Sequence, residues 1–569
     1  MKGLPAGLNP CPTTVGHVRP SALRQALRST VSVAQAFRFR ALRRTAVALA
    51  EAVRPALSAL VALAIAASSA CLHQPVQNPN IIVVGVLSGP NNLDPRVGTD
   101  DTSQKAGQLI FSSLMTFDDH LRIVPHVAER LDNPDPTTYV ATLRRGVRFH
   151  DGHELTSADV VHTFRSLLAP GFVSPLKGAF RLLKSIDART RYSVVFTLTE
   201  SFGSFPVNLV LPPIIPDGAG PSFRDHPIGT GPSKFVRYRV DDSLELAAFD
   251  EYWGGRPQND GVVLRVVPDD TMRGLELRKG MIDLDVNDIA PDIAYQLERE
   301  PRLRTIQSPG TDYQYIGLNL RDPILGDVRV RQALAHAIDY KAIVEYLRRG
   351  LAIPAVGIMP PVSWAFEPDV PTFPHDPARA KRLLDEAGHP DPDGDGPAMR
   401  FTLSLKVSNI EFNRLQSAVI QQDLRAIGVG LDVRMYEFAT LYADVLKSNF
   451  QMFTLQWTGG AAADPDILRR VFHSEQTPPF GFNRGYFNDP RVDRLLDEAT
   501  TSTDTRDRKR LFGEVQKIVA EEVPYISLWY KTNFAVVQRT LTGVHLTPYA
   551  DFFFLKDVAR QASDNSVVR

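Results

Sequence analysis

Ile81, Ile82, Val83, Val84 and Val86 form an apolar run that stops at Gly89-Pro90-Asn91-Asn92, the pattern of a buried strand delivering the chain into a loop. Loops at the carboxyl ends of such strands are where ligands of open α/β sheets collect, which makes Ser88 and Asn92 candidate contacts. After a turn at Asp151-Gly152 a helical pattern begins, with Thr156 and Asp159 spaced as a capping box. Asp376 and Pro377 open another helix that Gly388 closes, and Asp489 and Pro490 open a third in the same way. Short runs such as "YSVVFTL", "LDVRMYEF" and "FAVVQ" predict strands between them. The pattern is mixed α/β, with no internal repeat and no low-complexity linker.

The stretch 327–350 is denser in charge than its surroundings. Val330, Ala333, Leu334, Ala337 and Ile338 fall at i, i+3, i+4, i+7 and i+8, one apolar stripe on a helix begun by Asp327. Arg329, Arg331, Gln332 and His336 lie off that stripe and read mostly as caps and solvated positions, with Arg331 or Asp339 at a site as the alternative. Asp339 restarts a second helix, with Ile343, Val344 and Leu347 facing inward and Gly350 as its stop.

At 569 residues, 43% of them hydrophobic, the chain is too long for one core, and two or three domains are expected. Its formal net charge of zero conceals an asymmetry: residues 1–70 carry nine Lys or Arg and the single acid Glu51. Of 64 basic and 64 acidic residues in all, 55 and 63 therefore lie beyond position 70. A body this acidic argues against a nucleic-acid partner. The basic head is followed by an uncharged run over 55–70 that ends in small side chains, the pattern of an export segment. That run is shorter than the roughly 20 residues a spanning helix requires. Of the two cysteines, Cys11 lies in the head and Cys71 at the junction, so no disulfide framework supports the fold. An export signal ending at a cysteine resembles a bacterial lipoprotein signal, which would make Cys71 a lipidated first residue. Ser68 stands where such signals usually carry Leu, and Ser68 with Ala70 would also suit an ordinary signal peptidase.

The segment "YIGLNLRDPILGDVRVRQALAHAIDYKAIVEYLRRGLAIPAVGIMPP" resembles the signature region of the extracytoplasmic solute-binding proteins of family 5, the peptide-binding components of ABC importers. Other pieces follow in the family's order: "LDP" at 93–95, "VRFHDGHELTSADVVHTF", "GTGPSKFVRY", "FDEYWGGRP", "DPARAKRLLDEAG", "WTGGAAADPD" and "NDPRVDRLLDEA". Together they cover nearly all of the chain from about residue 80. The resemblance implies an α/β fold of the two-lobed periplasmic-binding-protein type (type II, cluster C) with an additional inserted domain. It implies a first lobe over 80–120, 222–305 and 525–569, an inserted domain over 121–221 and a second lobe over 306–524, preceded by an export segment 1–70 and a linker 71–79. The function it implies is capture of a peptide-like solute by hinge closure and delivery to the membrane permease subunits. The expected protein is an exported, lipid-anchored monomer without a cofactor, a nucleic-acid partner or an enzymatic role.

Extended peptides are held as added strands, and closure follows when a ligand touches both lobes. Trp457, after the strand "MFTLQ" and at the mouth of a Gly-rich loop, is a candidate for the cleft, with core filling as the alternative. Dipeptide binders of the family usually read "WTGD" there, the acid pairing with the ligand's amine. This chain has Gly459 and Gly460, and the next acid is Asp464, so either Asp464 reaches in or amine recognition is absent. Asn483, Arg484 and Tyr486 form a second candidate loop, Arg484 being suited to a carboxylate. Tyr313 and Tyr315 share one face of a strand, with core packing and ligand contact both open. Rival readings are weaker. His150 and His153 in "HDGH" lack a third metal ligand, and no HExxH or GxSxG motif supports a hydrolase. "DPDGDG" places Thr402 where a calcium loop needs Glu. The resemblance also allows another cargo, such as a sugar, a metal chelate or haem.

Overall fold

The computed structural model describes residues 80–561 apart from 395, 459–463 and 479–480. Two long antiparallel strands, Leu303–Leu318 and Tyr525–Gln538, form the spine of an eleven-stranded sheet and run through both lobes of the molecule. On one flank Leu284–Val286, Ile81–Val86, Gly261–Val266, Ser243–Ala248 and Ser233–Arg239 follow in that order and build the first lobe. On the other, Met452–Trp457, Phe401–Ser408 and Val429–Tyr436 build the second.

The first strand shows why its sequence reads as unbroken apolar. Ile82, Val84 and Val86 pack with Ala106, Leu109 and Ile110 on one face, while Val83 packs with Leu277 and Ile282 on the other. A strand covered on both faces, here parallel to both of its neighbours, carries apolar residues at successive positions. The inserted domain has the contrasting pattern. Its antiparallel sheet of four strands, Ala128–Asp135, Thr138–Leu143, Ser193–Leu198 and Leu183–Thr190, is buried on one side only. Tyr139, Ala141 and Leu143 alternate with less buried residues and meet Phe164 of the helix Ser157–Leu168. Thr156 and Asp159 close both halves of that helix's capping box.

The helix Val328–Ala337 is capped by the Asp327 carboxylate, which accepts the Arg329 amide at 2.8 Å, and its apolar stripe enters the core of the second lobe. Two of its polar residues are not solvated, contrary to expectation. Arg331 is buried, donating to the carbonyls of Glu522 at 2.8 Å, Leu325 at 3.0 Å and Gly326 at 2.9 Å. Its bond to Glu522 satisfies a carbonyl at the end of the helix Thr505–Glu522. Buried His336 binds the Pro374 carbonyl through Nδ1 at 2.8 Å. The expected second helix is a short turn, Tyr340–Ala342, that widens into a π turn over Ile343–Leu347 before Gly350, at φ 77°, stops it.

Where the two long strands pass between lobes, their ladder is interrupted. Pro309 pairs with Thr532 and Tyr313 with Tyr530, so Gly310, Thr311 and Asp312 stand opposite Lys531 alone. Gly310 is required here, since a Cβ would lie 2.3 Å from the Lys531 carbonyl oxygen.

Candidate functional site

This bulge lies on a cavity of about 650 Å³ lined by the first lobe, the inserted domain, the crossing strands and Thr458 of the second lobe. The helix Asp101–Ile110 supplies one wall. Asp101, Gln104, Lys105 and Gln108, spaced i, i+3, i+4 and i+7, face the cavity, while Ala106, Leu109 and Ile110 face the core. Its amino end is fixed by Asp100, which accepts the Ser103 amide at 3.0 Å. Val207, Val210 and Leu211 of the inserted domain add an apolar surface, and Tyr549 and Asp551 close the side near the C-terminal segment.

The floor is a cross-linked set of amides. Asn287, at φ 68°, donates to Asn533 Oδ1 at 3.1 Å and accepts the Phe534 amide at 3.0 Å. Asn533 in turn donates to the carbonyls of Thr547 at 3.2 Å and Pro548 at 2.9 Å. Three segments distant in sequence are thereby fixed around the crossing strands. Beneath them Asp285 is fully buried, 3.2 Å from the Arg273 guanidinium. Burial, reinforced by Asp288, pushes its carboxyl up to about 7 against the pull of Arg273.

The charges around the cavity are mostly engaged. Lys105 pairs with Asp101 at 2.7 Å; burial opposes its charge, but Asp101, Asp288 and Asp285 outweigh that and hold its pKa above the ordinary value. Asp288 accepts the Leu87 amide at 2.9 Å, and Asp551 accepts the Thr547 hydroxyl at 2.5 Å and the Phe553 amide at 3.0 Å. Asp312 makes an interaction of its own. Lys531 differs: burial lowers its pKa, Asp312 offsets this only in part, and Arg348 and Lys105 add to the fall.

The sequence-derived candidates are placed elsewhere, and none of those described lines this cavity. Tyr313 and Tyr315 are stacked, centroids 5.5 Å apart, and buried in the second lobe. Tyr313 bonds Ser527 at 2.6 Å. Arg484 is buried, donating to the hydroxyls of Tyr315 at 3.1 Å and Tyr442 at 3.3 Å. Burial works against its charge, yet Tyr315, Tyr525 and Tyr442 hold its pKa above the ordinary value. Trp457 is partly buried, its ring 5.2 Å from Phe482 and 5.3 Å from the Arg484 guanidinium. Asn483 staples its own loop, donating to the carbonyls of His473 and Phe487. Tyr486, at φ 59°, accepts the Ser448 hydroxyl at 2.8 Å under Arg321. Asp464 accepts the hydroxyl of Ser204 from the inserted domain at 3.0 Å. Asn92 orders the loop before the cavity helix by accepting the Asp94 amide at 2.9 Å, and Ser88 is exposed. Gly459, Gly460, Cys71 and the segment 1–79 lie outside the described residues.

The cavity residues left unnamed by sequence reasoning carried two readable signals. One is the polar stripe of "DTSQKAGQ"; the other is Lys531, which with Thr532 and Asn533 interrupts the otherwise apolar strand "YISLWYKTNFAVVQ". Neither says that the two segments meet. Among the described residues no cluster of His, Cys, Asp and Glu fits a metal ion, and no helix is long and apolar enough to cross a membrane.

Residues 122–479, more than half of the chain, match the family model "Bacterial extracellular solute-binding proteins, family 5 Middle". The oligopeptide-binding protein AppA of Bacillus subtilis is 28% identical over 494 residues, 83% of this chain and 90% of that protein. Heme-binding protein A of Haemophilus influenzae is 28% identical over 509 residues, 84% of this chain and 92% of that protein. The structure of AppA in complex with a nonapeptide superposes with a TM-score of 0.68 at 27% identity, covering 84% of this chain and 99% of that one.

Proposed function

Because the chain belongs to the bacterial extracellular solute-binding proteins of family 5, we propose that it captures a peptide between its lobes as the substrate-binding component of an ABC importer and hands it to the membrane permease. The observation that carries this reading is the cavity of about 650 Å³ at the crossing strands, walled by both lobes and the inserted domain. Its size lies within the range of small-ligand sites. A solute that touches both lobes stabilises the arrangement in which they meet, which couples binding to closure. The mixed lining, with an apolar wall at Val207 and Leu211 facing a polar helix stripe, suits a ligand carrying both backbone amides and side chains.

The domain limits inferred from the sequence, 80–120, 222–305 and 525–569 for the first lobe, 121–221 for the insert and 306–524 for the second lobe, belong to this reading. So do export through the segment 1–70, lipid attachment at Cys71 on the outer face of the cell membrane, and action as a monomer. Native mass spectrometry of protein purified without denaturation tests the ligand class. The expected result is a retained mass that fragments into an amino-acid ladder. Retained haem or carbohydrate overturns the peptide reading.

A further inference from the structure

The charged groups lining the cavity divide into those already satisfied and one that is not. Asp101, Lys105, Asp288, Asp312 and Asp551 are each engaged within the protein. Among the described residues no hydrogen bond or ion pair holds the Lys531 ammonium, although it sits at the bulge where the two lobes are joined. Its surroundings do not neutralise it. Burial opposes its charge most; Asp312 and, more weakly, Asp288 favour it, while Arg348, which makes no ion pair among the described residues, and Lys105 act in the opposite sense. Among the described residues the Arg348 guanidinium donates to the Leu351 carbonyl at 3.3 Å and lies over the rings of Trp529 at 4.6 Å and Phe412 at 5.2 Å, its Nε without a hydrogen-bond partner. Burial pulls its pKa down to about 10, Asp312 compensating only in part. Lys531 therefore stands on the cavity wall as a cation whose burial Asp312 and Asp288 offset only in part, and a cation in a partly dry site gains most from a charge-assisted bond to an incoming anion.

We propose that Lys531 anchors a carboxylate of the bound peptide, so that ligands are selected by an acidic group laid against the crossing strands. The inference rests on the peptide reading above and adds which end of the chemistry the protein grips. Lys531 is well placed for this because its backbone is fixed from both sides. It lies opposite Gly310–Asp312 on one strand and pairs with Ala352 on another. A carboxylate there would touch an element belonging to both lobes, which ties recognition to closure.

The test uses two degenerate pools of three- to five-residue peptides, one with free C-terminal carboxylates and one amidated, both composed of residues without acidic side chains. Retention by the full-length protein is read by native mass spectrometry, and affinities of retained peptides by calorimetry. Wild type is expected to prefer the free acids about tenfold or more, Lys531→Met to lose that preference and Lys531→Arg to keep part of it. Equal retention of acids and amides by wild type overturns the inference while leaving peptide capture intact. An undiminished preference in folded Lys531→Met also overturns it. Retention of neither pool removes the peptide reading and this inference with it. The wild-type comparison stands even where the Met variant fails to fold.

Discussion

The carboxylate of Asp464, in the second lobe, accepts a hydrogen bond at 3.0 Å from the hydroxyl of Ser204, in the inserted domain, 260 residues earlier in the chain. Arg508 donates to the same hydroxyl and lies 4.0 Å from Asp464. The contact continues along the backbone, where the Gly203 amide donates to the Thr500 carbonyl at 2.7 Å and a Cβ on Gly203 would strike the Ser502 carbonyl oxygen. Asp464 is thus a clasp between two parts of the molecule that must meet around the cavity.

Ser204→Ala removes both bonds of the clasp and leaves the Asp464 carboxylate without its hydroxyl donor. A hydrogen bond to a charged group contributes about 1.5–3 kcal/mol. We expect the variant to bind its ligand about tenfold more weakly and to show a larger radius of gyration without ligand in small-angle scattering. Unchanged affinity together with unchanged scattering would show that the clasp does not bias the lobes.

Asp285 gives the first lobe a pH dependence with a definite sign. Its carboxyl is raised to about 7 in the folded protein, by burial first and Asp288 second. A raised folded-state value means that its contribution to stability is fully present below the ordinary carboxylate range near 4 and is lost as pH climbs through about 7. Wild type should therefore lose stability relative to Asp285→Asn between pH 4 and 7, by up to a few kcal/mol. Urea midpoints of the two proteins across that interval check it, and a constant difference would contradict it.

Cys71 is tested by fractionation. With a lipid anchor at that thiol, Cys71→Ala should move the protein from the membrane fraction to the soluble extracytoplasmic fraction, since acyl chains are what hold such a protein to the bilayer. An unchanged distribution would remove the anchor from the reading.

What could be read along the chain was what neighbours in sequence decide. The caps at Asp327, Asp376 and Asp489 all accept amides two or three residues on, and the stripe from Val330 to Ala337 is buried as its spacing requires. Arg331 and His336 looked solvated because their partners, the carbonyls of Glu522 and Pro374, arrive from 191 and 38 residues away. The cleft was hidden for the same reason. Lys105 on a helix, Asn287 and Asp551 in loops and Lys531 on a strand converge only once four parts of the sequence are folded together. Trp457 and Arg484, from two separate candidate loops, pack against one another in the second lobe.

That pair supports the last prediction. The Trp457 ring packs against the core that contains Phe453 and Phe472, meets Phe482 edge-on and lies beneath the Arg484 guanidinium. Arg484, in a buried setting with tyrosine hydroxyls as its partners, depends on that aromatic face to offset its lost hydration. Trp457→Ala would open a void beside a buried cation. For a large aromatic the cost is about 3–5 kcal/mol at a fully buried site, and Trp457 is only partly buried, so about 2–3 kcal/mol is expected. The cavity at the crossing strands is reached by Thr458 rather than by Trp457. Ligand affinity at a temperature where the variant is folded should accordingly fall less than stability does. Chemical denaturation and calorimetric titration on one preparation measure both quantities. An affinity loss that exceeds the stability loss would place the indole against the ligand and move the binding surface from the crossing strands toward the second lobe.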